Sequence, residues 1–541
     1  MKNKREELDL IIQEQEYPNL AFAFYEDKKY VVKNEILGRK LRLRTKRKKN
    51  GAYICDVIEK LEDSVFETGT PCASYKECGG CIYQTLSYED EDKIKKDMLQ
   101  KLYKSVFSGD IVFHPSLEVE GYRNKMEYTF SDNGDEARTL SLGLHKKKRF
   151  YEVIETDDCN IVDADFTKIR VAALNYFKEK GLKYYHKKLH EGALRHLVIR
   201  KAFFTKEILI NLVTTSDYNI EEDFIQMLLN LNLDGEIKSI YHTKNDSLSD
   251  VVQADELILV YGKEDIDEKL LGLKFKIGPF SFFQTNSRAA ERMYGRIQEL
   301  LDEEKLDVLF DLYSGTGTIA QILAKKAKKV YSIEIVEEAS KKARLTCELN
   351  DIDNVEVING DVLKVIDEVY ERPDAIVIDP PREGVHPKAL KKLIDYKAEK
   401  IIYVSCNPKT HVNDLKEFIE AGYTIKLVEV FDNFPKTSHV ETVALLSKLN
   451  TEHHLDIEIG EDELSEIDFS KDATYGEIKK YVLDKYGLKV SSLYIAQIKR
   501  KHGLIERENY NFSKKENQRV PNCPEEKEKA IEDALEHFGM I

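Results

Sequence analysis

The sequence predicts an α/β protein built around a doubly wound, largely parallel sheet. Between residues 307 and 448, short apolar runs alternate with helical stretches. This alternation is typical of a sheet with helices on both faces, in which ligands bind beyond the carboxyl ends of the strands. The seven predicted strands are Asp307–Leu312, Lys329–Ile335, Val355–Ile358, Ala375–Ile378, Lys400–Val404, Thr424–Val430 and Glu441–Ser447.

The rest of the chain divides into three further predicted domains. Residues 1–68 contain four or five short runs with period-two alternation, which favours a small OB-like, TRAM-type β-barrel. Residues 69–270 form a predicted mixed α+β central domain that carries a cysteine cluster, and the doubly wound sheet occupies residues 271–449. Residues 450–541 are predicted to be a helical extension, in which two short helices suggest a helix-turn-helix.

The charge of the chain is unevenly distributed. The net charge of −15 over 541 residues argues at first against a nucleic-acid partner. Residues 27–50, however, hold eleven lysines and arginines against only Asp27 and Glu35, and such a patch predicts contact with RNA. The alternative is a solvated edge strand. The chain has no long apolar run and its N-terminus lacks a secretory signal, so we expect a cytoplasmic protein without a membrane span.

Three of the eight cysteines, Cys72, Cys78 and Cys81, lie within ten positions. In a reducing compartment such crowding indicates metal or cluster ligation. A fourth thiolate is needed for tetrahedral ligation, and Cys159 in a polar turn is the best candidate. The spacing alone leaves zinc and an iron–sulfur cluster open. The cysteines interpreted as non-ligands are Cys55, Cys347 and Cys523.

A glycine-rich turn at residues 311–317 follows the first strand of the doubly wound sheet. Its glycines, Gly315 and Gly317, let the backbone pass close to a ligand, and the helix that follows favours a polar or anionic group. Tyr313 lies in the same turn, and the next two strands end at Glu334 and Asp361. Because the third glycine of the dinucleotide fingerprint is missing, this combination instead resembles the cofactor site of S-adenosylmethionine-dependent methyltransferases.

The fourth and fifth strands end in residues that suggest chemistry. Asp379 follows the fourth strand and is held by two prolines, and Cys406 follows the fifth strand. A lone cysteine at the end of an apolar strand is usually a buried, inert thiol. Since neighbouring parallel strands end at one edge, Asp379 should lie beside Cys406, which favours a nucleophile instead.

Six motifs occur in an order that resembles the RNA uracil-C5 methyltransferase family, whose members form 5-methyluridine in bacterial rRNA and tRNA. The similarity covers about residues 8–448. The matching segments are Tyr122–Phe130, Phe282–Asn286, Asp311–Gly317, Asp379–Arg382, Ser405–Pro408 and His439–Glu441. The resemblance implies that the protein is an enzyme, with S-adenosylmethionine as cofactor and RNA as partner.

The chemistry of this reaction needs these residue types. Carbon 5 of neutral uracil is a poor nucleophile, but addition of a thiolate at carbon 6 converts the ring to an enolate that is nucleophilic at carbon 5. After methyl transfer, a base must remove the carbon 5 proton. Cys406 is the predicted nucleophile and Glu441 the predicted base, with His439 as the competing base. Asp379, at the edge of the cofactor site, is expected to accept a hydrogen bond from the uracil N3–H.

The resemblance also implies roles for residues outside this group. Gln284 is expected to contact the cofactor or the base, Phe282 to stack on a flipped base, and Arg123 to contact the substrate. The rRNA-directed members carry a [4Fe–4S] cluster on this cysteine pattern. The resemblance therefore assigns such a cluster to the four cysteines, and it favours 23S rRNA over tRNA as substrate and a monomer as the oligomeric state.

Other interpretations of these residues stay open. A tRNA uracil-C5 methyltransferase is the first alternative. An adenine N6 methyltransferase would also use Asp379 and its prolines, but Arg382 stands where such enzymes place an aromatic residue. A non-catalytic iron–sulfur RNA-binding protein would have no use for Cys406 and Glu441. In the C-terminal extension, residues 499–502 could meet phosphates, or the helices could form a small bundle for protein contacts.

Overall fold

The computed structural model describes residues 6–248, 254–301, 306–365, 369, 371–448, 475–502, 523–538 and 540. Within the chain, contacts define two compact units, Met1–Thr451 and Glu452–Ile541. The larger unit is a mixed α/β structure with three multi-stranded sheets and a hairpin. Among the described residues, no helix has the length and apolar character needed to cross a bilayer.

A six-stranded sheet forms the N-terminal part of the larger unit. Its strands are β1 (Glu7–Ile11), β2 (Glu14–Glu16), β3 (Leu20–Tyr25), β4 (Lys28–Lys33), β5 (Lys40–Lys49) and β6 (Ala52–Glu62), in the order β1-β5-β6-β4-β3-β2. All neighbours are antiparallel except β4 and β6. β1 and β2 are the two edge strands of this sheet. Because only two residues separate them in the chain, the two edges of the sheet lie close together. Alternate apolar side chains fill the enclosed core, among them Leu10, Val32, Leu41 and Leu43.

The basic patch on this sheet is largely neutralised by neighbouring strands. Arg39 is buried and binds both Glu35 and Glu67. On β5, basic side chains pair with acids of β1 and β6, in the pairs Lys40–Glu62, Arg42–Asp9, Arg42–Glu59, Arg44–Glu7 and Lys46–Asp56. The density of positive charge in the sequence therefore overstates the positive charge that the folded sheet presents.

A short segment then leads from the N-terminal sheet to the central one. Helix α1 (Tyr88–Tyr103) begins at Ser87, whose hydroxyl accepts from the backbone of Asp90, and it buries one face in the core of the doubly wound sheet. Strand β7 (Val112–His114) follows. This helix and strand fall within the predicted central domain, but both pack with the methyltransferase-like part of the structure.

The central region forms a mixed seven-stranded sheet with the order β10-β9-β8-β11-β12-β13-β14. Its strands are β8 (Lys125–Asp132), β9 (Leu140–Lys146), β10 (Arg149–Ile154), β11 (Leu194–Lys201), β12 (Glu207–Thr214), β13 (Glu236–Lys244) and β14 (Glu256–Gly262). Helices α2 (Ala164–Glu179) and α3 (Glu222–Leu229) cover it with apolar faces, which include Phe166, Phe177 and Phe224. A hairpin, β15 (Ile266–Leu270) and β16 (Leu273–Ile277), leads onward.

The doubly wound sheet confirms the seven predicted strands and adds an eighth. The strands are β17 (Leu306–Leu312), β18 (Ala327–Glu334), β19 (Val355–Asn359), β20 (Ala375–Ile378), β21 (Lys400–Ser405), β22 (Tyr423–Phe431) and β23 (Glu441–Lys448). The order is β19-β18-β17-β20-β21-β23-β22-β7. The prediction of seven strands was wrong by one because β7, from a distant part of the sequence, pairs in parallel with β22.

Helices accompany the strands of this sheet, and three further helices lie in the described part of the smaller unit. The helices of the sheet are α4 (Ser287–Leu300), α5 (Thr318–Leu323), α6 (Glu337–Leu349), α7 (Val362–Val365), α8 (Pro387–Asp395) and α9 (Pro408–Glu420).

In the smaller unit, α10 (Tyr475–Tyr486), α11 (Ser492–Lys501) and α12 (Glu525–His537) share one apolar core. The sequence predicted α10 and α11, and α12 is an addition. Lys501 and His502 pair with Glu528 and Glu532 of α12, so these two cations already have acidic partners.

Candidate active site

A cavity of about 700 Å³ opens at the carboxyl edge of the doubly wound sheet. The ends of β17, β18, β20 and β21 meet there because these strands run parallel. Eight of the predicted site residues line the cavity, namely Phe282, Gln284, Tyr313, Gly315, Glu334, Asp379, Cys406 and Glu441. The edge thus brings together side chains that are up to 159 positions apart in the sequence, from Phe282 to Glu441.

Cys406 and Glu441 are brought together by the pairing of two neighbouring strands. β21 and β23 are antiparallel, and their last registered pair is Ser405 opposite Thr442. One step further along each strand are Cys406 and Glu441. Asn407 and Pro408 then start helix α9, with the Asn407 side chain accepting from the backbone of Lys409. The cysteine therefore sits in a tight strand-to-helix turn, as the sequence predicted.

Burial and negative charge shape the ionisation of this cavity. Burial, with Glu441 and Asp379 nearby, raises the pKa of Cys406 to about 11, although the Arg382 guanidinium opposes this rise. Burial raises the pKa of Asp379 to about 7. Burial and the charge of Asp379 also raise the pKa of Glu441 well above its usual range. In the ligand-free cavity, burial and negative charge therefore favour the protonated forms of the thiol and of the Glu441 carboxyl.

His439 is a weaker candidate for the base than Glu441. Its Nδ1 accepts from the Arg382 guanidinium at 3.3 Å, and His439 does not line the cavity. Burial and the positive charge of Arg382 lower the pKa of His439 to about 4. An imidazole with so low a pKa, already engaged by a cation, accepts a proton poorly.

The glycine-rich turn is built against the end of β18. Gly315 donates its backbone N–H to Glu334 at 2.8 Å, and Val336 donates to the other oxygen of the same carboxylate at 2.8 Å. Gly317 has a φ of +70°, and an added Cβ would come within 2.9 Å of Ala343, so glycine is required there. Asp311, fully buried at the start of the turn, has one oxygen without a hydrogen-bond partner among the described residues.

The Phe282–Asn286 segment is held by the motif that begins at Tyr122. Asn124 donates to the backbone oxygen of Gln284 at 3.1 Å and to the Ser287 hydroxyl at 2.8 Å. Asn286 caps α4 by accepting from the backbone of Ala289. These bonds present Gln284 to the cavity, whereas Phe282 stands at its mouth with 70% of its surface exposed.

Three predicted site residues do not line the cavity. Gly317 shapes the turn from behind, and Asp361 accepts from the backbone of Leu363 at the start of α7. The Arg123 side chain donates to the backbone oxygen of Lys125, two residues further along the chain. A sequence motif shows that a residue lies near the site. It does not show whether the side chain faces the cavity, because that direction depends on packing.

Among the other residues that line the cavity are three polar side chains to which the sequence assigned no role. Tyr294 of α4 is buried beside Gln284, Asp379 and Glu441, and burial raises its pKa well above the usual range. Arg382 approaches the thiol of Cys406. Lys342 of α6 forms an ion pair with Asp265. The amphipathic pattern of α4 and α6 could have shown which residues face inward, but not that the inward face meets a ligand cavity.

The cysteine segment lies apart from this cavity. Cys72 and Cys78 are buried, and the segment is tied to the turn before Cys159 by Asp158, which accepts from the hydroxyl of Ser74 at 2.9 Å. Burial, with the charge of the other three thiols, raises the pKa of Cys81 to about 12. Yet the described residues contain no group of three or more His, Cys, Asp or Glu side chains arranged to hold a metal ion, so the predicted metal site is not confirmed.

A second cavity, of about 1380 Å³, lies between the N-terminal sheet, the cysteine segment and the β9–β10 hairpin. Its lining is rich in lysine, with Lys29, Lys33, Lys46, Lys49, Lys60, Lys76, Lys146, Lys147 and Lys148. Although this cavity is the larger and Cys81 lines it, none of the residues predicted for catalysis or for S-adenosylmethionine lines it. The carboxylates and the thiol at the sheet edge therefore mark the smaller cavity as the place for chemistry.

Comparisons with known proteins agree with this geometry. The model of the family described as tRNA (Uracil-5-)-methyltransferase matches residues 87–449. An uncharacterized RNA methyltransferase of Clostridium tetani is 46% identical over 458 residues, which cover 83% of this chain and 99% of that protein. A second, from Caldanaerobacter subterraneus subsp. tengcongensis, is 45% identical over 82% of this chain and 99% of its own.

A solved structure extends the likeness to three dimensions. The tRNA (uracil-54, C5)-methyltransferase of Pyrococcus abyssi, in complex with S-adenosyl-L-homocysteine, superposes with a TM-score of 0.64 and 26% identity. It covers 81% of this chain, and this chain covers 100% of it. Together with the family match, these likenesses show an enzyme that uses S-adenosylmethionine and RNA. The chain belongs to the RNA uracil-C5 methyltransferase family.

Proposed function

We propose that this protein methylates carbon 5 of a uridine in 23S rRNA through a covalent adduct on Cys406. The observation that carries the proposal is the placement of Cys406 and Glu441, one step beyond the registered pair Ser405–Thr442, in a cavity that also contains Asp379. A nucleophile, a base and a group that orients the ring are the three functions that the reaction needs.

Cys406 attacks carbon 6 of uracil as a thiolate. In the ligand-free cavity the thiol holds its proton, because burial and two carboxyl groups raise its pKa. Arg382 is the described cation that works against this rise, and its guanidinium lies beside the thiol. We assign Arg382 the role of stabilising the thiolate as it forms and when it leaves.

Asp379 orients the uracil ring by accepting a hydrogen bond from N3–H. The carboxyl follows β20, next to the strand that delivers Cys406, so one ring can contact both. With a pKa near 7, Asp379 is about half ionised at neutral pH. A hydrogen bond donated by N3–H favours the ionised carboxylate. Phe282 at the mouth of the cavity stacks on the flipped base, and Arg123 contacts the RNA beyond it.

Glu441 removes the proton from carbon 5 after methyl transfer. The electron pair of the C5–H bond then forms the C5–C6 double bond, and Cys406 leaves carbon 6 as a thiolate. Burial and Asp379 raise the pKa of Glu441 in the ligand-free cavity, so positive charge that enters with the ligands favours its ionised form. S-adenosylmethionine would supply the electrophilic methyl group, and its sulfonium would favour the ionised carboxylate before methyl transfer, so that the base is ready when the carbon 5 proton leaves.

The cofactor residues suit a nucleoside with a charged amino-acid tail. Glu334, fixed by two backbone N–H groups, accepts hydrogen bonds from the ribose hydroxyls, and Gly315 and Tyr313 lie against the same part of the ligand. Gln284 contacts the cofactor or the base. Asp361 is assigned to the cofactor by the family resemblance alone, since its side chain accepts from the backbone of Leu363 and does not line the cavity.

The N-terminal sheet is proposed to be an OB-like, TRAM-type barrel that binds RNA. Two features support this proposal. The two edge strands, β1 and β2, are joined by only two residues, and β4 pairs in parallel with β6. We propose domain limits of 1–68, 69–270, 271–449 and 450–541, in a cytoplasmic monomer. The lysine-rich cavity between this sheet and the β9–β10 hairpin is where the phosphates of the RNA are expected to lie.

A [4Fe–4S] cluster on Cys72, Cys78, Cys81 and Cys159 is a separate proposal. Its support is the donor chemistry, four thiols that are close enough to raise one another's pKa, and the family resemblance. The four thiols would hold the cluster as a structural element of the RNA-binding surface. Iron and sulfide analysis of anaerobically purified protein tests it: about four of each, lost in Cys81→Ser, supports the cluster, and zinc alone contradicts it.

Two observations weigh against 23S rRNA and favour tRNA as the second candidate substrate. The matching family model is described as tRNA (Uracil-5-)-methyltransferase, and the similar solved structure is a tRNA (uracil-54, C5)-methyltransferase. Methyl transfer from labelled S-adenosylmethionine to 23S rRNA fragments and to tRNA transcripts, compared by kcat/KM, decides between them. A preference for tRNA would contradict the rRNA proposal and leave the chemistry unchanged.

The covalent mechanism is tested with RNA that contains 5-fluorouridine. The fluorine cannot be removed as a proton, so the adduct should persist, and mass spectrometry should locate it on Cys406. Glu441→Gln should accumulate the adduct with unmodified RNA as well. An active enzyme that gives no adduct, or an adduct on another residue, would refute the mechanism.

A further inference from the structure

Four charged side chains lie buried together beneath the loop that precedes Glu441. Glu91 and Lys95 belong to α1, and Asp432 and Lys436 to the connection between β22 and β23. Lys95 Nζ lies 2.7 Å from Glu91 and 2.8 Å from Asp432. Lys436 Nζ lies 3.4 Å from the second oxygen of Glu91, as an ion pair without hydrogen-bond geometry. We call these four residues the buried ion network.

The network has an energetic cost that calls for a reason. Burial alone would lower the pKa of Lys95, but Asp432 and Glu91 outweigh it and raise that pKa, so the lysine stays charged. Buried ion pairs are often no more stabilising than apolar residues of the same volume, and their best-attested use is to fix one arrangement among several. The arrangement fixed here is that of residues 432–436.

Each of four successive carbonyl groups in this loop accepts a hydrogen bond from a different part of the chain. Asn433 O accepts from the Asn286 side chain at 3.0 Å, and Phe434 O from Lys95 at 3.4 Å. Pro435 O accepts from the Tyr122 hydroxyl at 2.8 Å. Lys436 O accepts from the backbone N–H groups of Ile82 and Tyr83, at 2.8 and 3.0 Å.

These bonds fix a loop that begins and ends at the catalytic edge. Phe431 at the end of β22 pairs with Glu441 at the start of β23, so residues 432–440 form a closed connection between them. Helix α1, the Tyr122 segment and the residues directly after Cys81 all hold that connection in place. None of these three elements lines the cavity through the residues named here.

We propose that the buried ion network and the Tyr122 hydroxyl position Glu441 for removal of the carbon 5 proton. Lys95 and Tyr122 are therefore positioning residues, which act through the loop on the base. This inference rests on the proposed function, since it assumes that Glu441 is that base. It adds that the cysteine segment, through Ile82 and Tyr83, supports the same loop.

The proposal makes the two halves of the reaction separable. Cys406 is delivered by β21, which pairs with β20 as well as β23, and by the start of α9, so its position depends less on the loop than that of Glu441. The loop reaches the thiol indirectly, through the bond between His439 and Arg382. A displaced Glu441 slows only the later step, in which it takes the proton and Cys406 leaves. Variants of the positioning residues should therefore accumulate methylated RNA bound to Cys406.

The experiment measures turnover and the fraction of enzyme held as adduct on denaturing gels, with unmodified RNA and S-adenosylmethionine. The variants are Tyr122→Phe, which removes one hydroxyl from a buried site, and Lys95→Met. The control is Lys96→Met, an exposed lysine on the same helix. We expect kcat in both variants to fall by about 10- to 100-fold with a raised adduct fraction, and the control to match the wild type.

Two results would overturn the inference. One is a wild-type adduct fraction and turnover in Tyr122→Phe, and the other is a parallel loss of turnover and adduct in that variant, which would show a role in folding alone. Tyr122→Phe decides the matter even if Lys95→Met does not fold. The Glu441→Gln enzyme serves as the reference: if it accumulates no adduct, the proposed base fails, whereas if it does and Tyr122→Phe does not, only the positioning role fails.

Discussion

The catalytic edge of the doubly wound sheet and the surface of the N-terminal sheet use charge in opposite ways. At the edge, Asp379 and Glu441 lie near each other and near the Cys406 thiol, and burial raises the pKa of all three groups. On the N-terminal sheet, β5 has many charges, but most have a partner of opposite sign on β1 or β6. In the first arrangement, burial and like charges oppose ionisation. In the second, paired charges favour it: Arg42 lowers the pKa of Asp9, and Asp9 raises the pKa of Arg42.

The difference teaches where function can be inferred from charge. Like charges in a buried cavity disfavour their own ionised forms, and nothing but a ligand or a reaction makes that arrangement useful. Paired charges on an exposed strand are screened and weak, and they suit solubility as well as recognition. Each of the following experiments asks whether the two regions differ in function as they do in electrostatics.

The largest effect is expected at Cys406. Cys406→Ala should reduce methyl transfer by a factor on the order of 10⁴ or more and abolish the adduct, because the enolate cannot form without the nucleophile. Cys347→Ala, which removes a buried thiol from the same domain, should keep wild-type activity. Rates are compared by single-turnover transfer of labelled methyl groups. Substantial activity in Cys406→Ala would show that Cys406 is not the nucleophile and that the charges around it do not mark a catalytic site.

Asp379→Asn should weaken catalysis and stabilise the fold at alkaline pH. Loss of the ring-orienting carboxylate should lower kcat/KM by about 100- to 1,000-fold. The pKa of Asp379 is about 7 in the folded protein against 3.8 for an ordinary aspartate, so its contribution to stability is present below pH 4 and lost as the pH rises through 7. The amide avoids that loss and should increase the unfolding free energy at pH 8 by about 1–2 kcal/mol.

Thermal unfolding at pH 4 and pH 8 measures this change, with Glu383→Gln in the same turn as the exposed control. The variant and the wild type should differ little at pH 4. If Asp379→Asn is less stable than the wild type at pH 8, the carboxylate is not under electrostatic strain in the folded enzyme.

A smaller effect is expected from the tip of the β5–β6 hairpin. Arg47, Lys48 and Lys49 are exposed there, and no carboxylate among the described residues forms an ion pair with them. Replacing the three by glutamine should weaken RNA binding and reduce the salt dependence of log K by about 2–3 units of slope. Arg42→Gln with Arg44→Gln, which removes two paired arginines, should change that slope little. Equal effects of the two variants on the salt slope would show that arginines in ion pairs contribute to RNA binding as much as unpaired basic residues do.

Removal of the smaller unit should have the least effect. The relatives from Clostridium tetani and Caldanaerobacter subterraneus match 82–83% of this chain along 99% of their own length, so about a sixth of this chain has no counterpart in them. Deleting Glu452–Ile541 should therefore leave kcat within about twofold, and Lys501 and His502, already paired, should add little to RNA affinity. A large loss of affinity or a lower salt slope would restore the helix-turn-helix interpretation.

The sequence by itself predicted the doubly wound sheet and the polar residues at the ends of its strands, and it led to the proposed roles of Cys406, Asp379 and Glu441. It could do so because strand and helix periods are local and because parallel strands bring their carboxyl ends to one edge. The residues at strand ends therefore follow from the pattern alone. The glycine-rich turn and Glu334 were found for the same reason.

Only the tertiary structure decided which neighbours those residues have. It showed that Tyr294 and Arg382 share the cavity, that Asp361 and Arg123 do not line it, and that β7 adds an eighth strand. It paired the basic residues of β5 and anchored residues 432–436 through partners as distant in sequence as Ile82 and Tyr122. Contacts of this kind depend on side-chain direction and on packing between remote segments, which no local period encodes.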